Sequence, residues 1–165
     1  MTRHRGVAAA ARGAGVAGAA VTLALLLSGC AGDPTQEYCD TVTDGQEQLA
    51  AAVDAGSPTA LVDALPALER LRDASPDDVA DDWQYLTGRV VALDDALEDA
   101  LDGTDLTAQD LVDLDEDEVP AGVEEADLVA VRAAAAELAS TQTQQALATV
   151  TAEVRAVCGT SLTGG

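Results

Sequence analysis

From Val79 to Leu101 the apolar residues fall at Val79, Trp83, Leu86, Val90, Leu93, Leu97 and Leu101, in steps of four and three. That is the period of one helix face, so it commits the middle of the chain to an amphipathic helix that must be covered by neighbours. Ser75 as N-cap, Pro76 at the first helical position and Asp78 three residues after the cap predict its start, and Gly103 its end. The segment from Ser57 to Asp73 repeats the Ser-Pro opening and carries Leu61, Leu65, Leu68 and Leu71 on one stripe, with Pro66 as a kink or restart. Before it, Tyr38, Val42, Leu49 and Val53 fit a helix over about 36–55. A final helical region runs over about 123–157 through Leu128, Val131, Leu138, Leu147, Val150, Val154 and Val157. At about 35 residues it would be long for a small domain, and Ser140 and Thr141 offer a cap at which it can break in two. No run of alternating β-branched residues occurs, so no sheet is expected and the fold class is all-α.

These helices have little to bury. Leu and Val together number 30 of the 136 residues from Cys30 onward, with no Ile and no Phe. That share, about 22%, stands just above the ~20% below which a highly charged chain stays disordered. A thin, Ala-rich core is expected, which closes only if the helices bring their aliphatics onto one face.

The N-terminus follows a different logic. Arg3, His4, Arg5 and Arg12 precede an apolar stretch from about Val16 to Leu27, and no acid occurs before Asp33. The basic segment stays on the cytoplasmic side, and a dozen apolar residues suit the ~7–15 of a signal peptide better than the ~18–20 of a membrane span. The stretch ends in Leu27-Ser28-Gly29-Cys30, with small residues just before a cysteine. This leader resembles that of bacterial lipoprotein precursors, whose signal peptidase cuts before a lipidated cysteine. The resemblance implies removal of residues 1–29, palmitate-type acyl chains on Cys30, and a mature chain anchored on the outer, extracytoplasmic face of the cell membrane. Residues 30–36 would be the lipidated tether, 37–159 the helical domain with an acidic loop at about 104–122, and 160–165 a disordered tail.

With Cys30 taken by lipid, Cys39 and Cys158 remain, in an oxidising compartment, and a disulfide between them is the natural pairing. It requires the first helix to begin where the last one ends. An even number of antiparallel helices satisfies that, so the expected architecture is an up-down four-helix bundle whose last helix is open to a break. Closing so long a loop stabilises by up to ~5 kcal/mol in the chain-entropy model. In layout, the mature part is similar to small helical lipoproteins of actinobacteria that carry one terminal disulfide.

Charge and residue types narrow the function. From Cys30 on, five Arg face thirty Asp and Glu, a net charge of −25, which excludes nucleic acid as a partner. The same span has no His and no Lys, so Ser-His, Cys-His and Ser-Lys nucleophiles are impossible, and no enzyme is expected. One acidic run has cation-binding spacing: Asp113, Asp115, Asp117 and Glu124 occupy positions 1, 3, 5 and 12 of an EF-hand loop. Glu118 and Pro120 fall at positions 6 and 8 where that loop turns, so only a weak Ca2+ site is suggested, and no other cofactor. A second anomaly is Asp94, Asp95, Glu98, Asp99 and Asp102 at the C-terminal end of the central helix, where the macrodipole prefers cations. Together these point to a non-catalytic binding or accessory module, with the membrane as partner through its lipid and another envelope protein as the second. The alternative is a substrate- or calcium-binding lipoprotein serving a transporter, although no βαβ pattern of a two-lobed receptor is present.

Overall fold

A computed structural model describes residues 33–112, 114 and 118–164, and every regular element among them is a helix. They are α1 (Pro34–Ala55), α2 (Pro58–Asp63), α3 (Leu65–Ala74), α4 (Ala80–Leu101), α5 (Ala108–Val112), α6 (Glu125–Leu138) and α7 (Thr141–Cys158). The lipobox residues Leu27, Ser28, Gly29 and Cys30 lie outside the described residues, as do Asp113, Asp115 and Asp117.

Local chemistry sets most boundaries. Asp33 caps α1 by accepting the Thr35 amide at 3.0 Å, with Pro34 at the first helical position, so the helical domain begins three residues before the expected 37. Gly56, at φ 62°, ends α1 in the left-handed conformation that costs other residues strain. Ser57 and Pro58 open α2, and the chain restarts at Pro66 as α3, as the second Ser-Pro segment predicts. Ser140 accepts the Thr143 amide at 3.2 Å and breaks the last helical region into α6 and α7.

The start of the central helix differs from expectation. Ser75 does not cap α4: its hydroxyl donates to the Arg72 carbonyl at 2.7 Å and closes α3 instead. Residues 76–79 form a turn held by the Val79 amide on the Pro76 carbonyl at 3.1 Å, and α4 begins at Ala80 with Asp81 and Asp82 in its first turn. A serine hydroxyl is equally able to finish one helix or begin the next, and here the preceding carbonyl holds it.

The four expected runs alternate in direction. The beginning of α1 meets the beginning of α4 where the Trp83 indole N–H donates to the Tyr38 hydroxyl at 3.0 Å, and it meets the end of α7 through the Cys39–Cys158 disulfide, Cα–Cα 5.3 Å. The α2–α3 run returns between them, the Thr87 hydroxyl of α4 facing the Leu68 carbonyl of α3. The up-down order with a broken last helix is thus present, but its core is in two parts. The first part gathers Tyr38, Val42 and Leu49 of α1, Leu68 and Leu71 of α3, Trp83, Leu86 and Val90 of α4, and Val150 and Val154 of α7. The second joins only the C-terminal half of α4 (Leu93, Leu97, Ala100) to Leu128 of α6, with Leu111 and Val123 from the connecting segment. Val62 and Leu138 touch both.

Two connecting segments are more structured than the sequence suggests. The acidic stretch expected as a loop over 104–122 contains α5, anchored by buried Leu111. The tail expected to be disordered from residue 160 instead packs: Gln46 donates to the Thr160 hydroxyl at 2.8 Å and the Ser161 carbonyl at 2.6 Å, and Leu162 is buried in the first core. One apolar side chain in a Gly/Ser/Thr-rich segment, with a polar side chain to receive its backbone, is enough to dock it.

Two glycines test this account in opposite directions. Gly88 is exposed in the interior of α4 with open space where a Cβ would stand, so Gly88→Ala should stabilise the domain by about 1 kcal/mol. Gly103, at φ 70°, ends the same helix, and Gly103→Ala should destabilise by about 1 kcal/mol. Urea denaturation of both variants decides; equal effects of one sign would contradict the assigned end of α4.

Candidate functional site

The residues singled out in the sequence fare unequally. Cys39 and Cys158 are brought together as a disulfide. Of the four carboxylates with EF-hand spacing only Glu124 is described; it is exposed at the N-cap position of α6, and its side chain makes no capping hydrogen bond. Among the described residues no group of three or more His, Cys, Asp or Glu is placed to hold a metal ion. The acids at the end of α4 have no basic residue in that helix's last turn. Nearest along the helix is Arg89, whose guanidinium lies 5.1 Å from the Tyr85 ring centroid and 4.0 Å from Glu137 of α6. Tyr85 is half-buried, packed against the first core with Arg89 over its ring.

At the disulfide end the polar chemistry is concentrated in one buried pair. Tyr38 and Trp83 are each 1% exposed, and the indole N–H finds its acceptor in the phenol oxygen. An indole offers only a donor, so without Tyr38 this group would be desolvated and unpaired. Burial pushes the Tyr38 hydroxyl above its ordinary 10.0; the Trp83 hydrogen bond acts the other way, and the charges of Glu153 and Asp78 add to the rise. Beside it opens a cavity of about 380 Å³ lined by Pro34, Thr35, Ser75, Asp77 and Glu153 as well as Tyr38. Ala74, Pro76 and Val157 make much of its wall apolar, and its two carboxylates, Asp77 and Glu153, leave no complement for an anion.

The other end of the first core is apolar and incompletely filled. A cavity of about 170 Å³ lies among Leu49 and Val53 of α1, Leu61 of α2, Trp83 and Leu86 of α4, Leu147 of α7 and Leu162 of the C-terminal segment. Val53 and Leu147 belong to the stripes expected to be core, yet they are 61% and 50% exposed, and they form its rim. Its one buried hydroxyl, Thr143, is already used, donating to the Glu137 carbonyl at 2.7 Å. The sequence hinted at such a space only through its lack of Phe and Ile: Leu and Ala do not fill the gap between four helices.

Among the described residues no helix is long and apolar enough to cross a membrane. In comparison with known proteins, the chain matches no family model, no curated protein and no solved structure.

Tyr38 offers a measurable consequence. Its folded form holds the phenolic proton more tightly than the unfolded chain does, so this contribution is complete below pH 10 and is lost as pH rises through 10 toward the folded value. Tyr38→Phe should cost about 1–3 kcal/mol at neutral pH by stranding the Trp83 N–H, and should flatten the alkaline loss of stability. Denaturant melts at pH 7 and above pH 10 measure both; an unchanged alkaline slope in the variant would rule out Tyr38 as its source.

Proposed function

We propose that this chain is an extracytoplasmic lipoprotein, anchored to the membrane through acyl chains on Cys30, whose helical domain is a non-catalytic binding or accessory module. The observation that carries the anchoring half is cysteine usage. The chain has three cysteines, the bridge consumes Cys39 and Cys158, and the third stands at the end of the Leu27-Ser28-Gly29-Cys30 motif. A cystine is at home in an oxidising compartment, which agrees with an exported chain. Only residues 31–33 separate Cys30 from the start of α1, a reach of at most ~14 Å from Cys30 to Pro34 fully extended. The disulfide end then lies next to the bilayer, and the apolar cavity, some fourteen residues further along α1 at Val53, lies about 20 Å away from it. The module's acidic surface is repelled by anionic headgroups, which leaves the outward end free for a partner in the envelope.

The binding half rests on what the domain offers and on what its sequence lacks. From Cys30 on there is neither His nor Lys to activate a nucleophile, whereas a solvent-open apolar cavity is present in a domain otherwise covered by carboxylates. Acyl labelling in cells tests the anchor. The wild-type chain should incorporate a palmitate probe and lose the mass of residues 1–29, while Cys30→Ala should incorporate none and keep its leader. Labelling of the variant at the wild-type level, or none in either chain, would refute the assignment.

A further inference from the structure

The geometry points to the cavity between α1, α2, α4 and α7 as a binding site for the alkyl end of a small neutral amphiphile. This gives a ligand class to the binding module proposed above and rests on the binding half of that reading, not on the lipid anchor.

Size sets the first limit. The cavity measures about 170 Å³, close to the ~150 Å³ of apolar cavities that stay dry and admit benzene, so it takes roughly six or seven carbon atoms and not a long chain. Chemistry sets the second. No ionisable side chain lines it; the buried Thr143 hydroxyl is held by the Glu137 carbonyl and by Ser140 at 3.0 Å, and the other hydroxyl of the lining, on Thr163, belongs to an exposed residue, so the buried interior would solvate no charge. Access sets the third. Val53 and Leu147 stand at the mouth, 61% and 50% exposed, so an alkyl group enters between apolar side chains while its head stays in water. The charge of −25 over residues 30–165 sets the fourth: an anionic head at that mouth is repelled, and a neutral one is not. Leu162 closes one wall, held through the Gln46 hydrogen bonds to Thr160 and Ser161, so the site is completed by the C-terminal segment.

Trp83 is the chain's single tryptophan and lines the cavity, which makes its fluorescence a reporter of occupancy. The experiment titrates the full chain, disulfide intact, with 1-hexanol and with hexanoate at pH 7, following Trp83 emission and the melting temperature. The expected result is a saturable emission change and a raised Tm with 1-hexanol, and a response at least tenfold weaker with hexanoate. Leu147→Asp should weaken the 1-hexanol response at least tenfold while keeping the wild-type helical content. If that variant does not fold, Val53→Gln at the more exposed side of the mouth serves in its place. A linear, unsaturable response to 1-hexanol, or equal responses in wild type and a folded mouth variant, overturns the site; equal responses to hexanol and hexanoate overturn the neutral ligand class. None of these outcomes bears on acyl labelling at Cys30, so failure here is distinct from failure of the anchor.

Discussion

The closure of Cys39 onto Cys158 is the constraint from which the helical domain takes its order. A bond across 119 positions requires the chain to return to its starting level, and helices of this length return only after an even number of antiparallel runs. The beginning of α1 is thereby fixed beside the end of α7, and α4 is brought to the same level, where Trp83 meets Tyr38. The covalent link and the buried hydrogen bond lie one residue apart on α1, so they reinforce a single end of the bundle. For a core built from Leu, Val and Ala, pinning that end restricts the unfolded chain as much as any packing contact rewards the folded one.

From that pinned end outward, α4 is the element every other part depends on. Its N-terminal half completes the first core against α1, α3 and α7; its C-terminal half forms the second core with α6 and the segment that leads into it. Small side chains make the second contact possible, since Ala100 on α4 and Ala134 and Ala135 on α6 allow two helices to approach closely. The same economy of side-chain volume has the opposite result at the end of the first core away from the disulfide. There four helices converge, and leucines do not reach across the space between them, which is where the apolar cavity lies.

How far the sequence spoke for this arrangement depended on the range of the interaction. Features decided within a few residues were legible: the Ser57-Pro58 opening, the restart at Pro66, the Ser140 cap and the stop at Gly103. Ser75-Pro76 carried the same opening signal and was used differently, because the Arg72 carbonyl competed for the hydroxyl. The continuous period of α4 gave no sign that its partners change halfway along, since a helix face records that it is covered and not by what. Val53 and Leu147 fit their stripes by spacing, but they fall where the bundle opens. Leu162 lacked any period at all, and its burial follows from Gln46, 114 positions away from Thr160.

The division of the core has a consequence for how the domain comes apart. Among the described residues the second core unites six buried side chains against fifteen in the first, so α6 and the α5 segment form the cheaper unit to open, as a local unfolding that leaves the bundle behind. Asp94, Asp95, Glu98 and Asp99 of α4 and its C-cap Asp102 sit along this same half, and their mutual repulsion loosens the helical turns on which α6 packs. Screening by salt weakens that repulsion, and so firms the contact between α4 and α6 while leaving the first core nearly as it was. The chain thus behaves as a hard clasp carrying a soft, ion-sensitive arm, and its rigidity is graded along one helix.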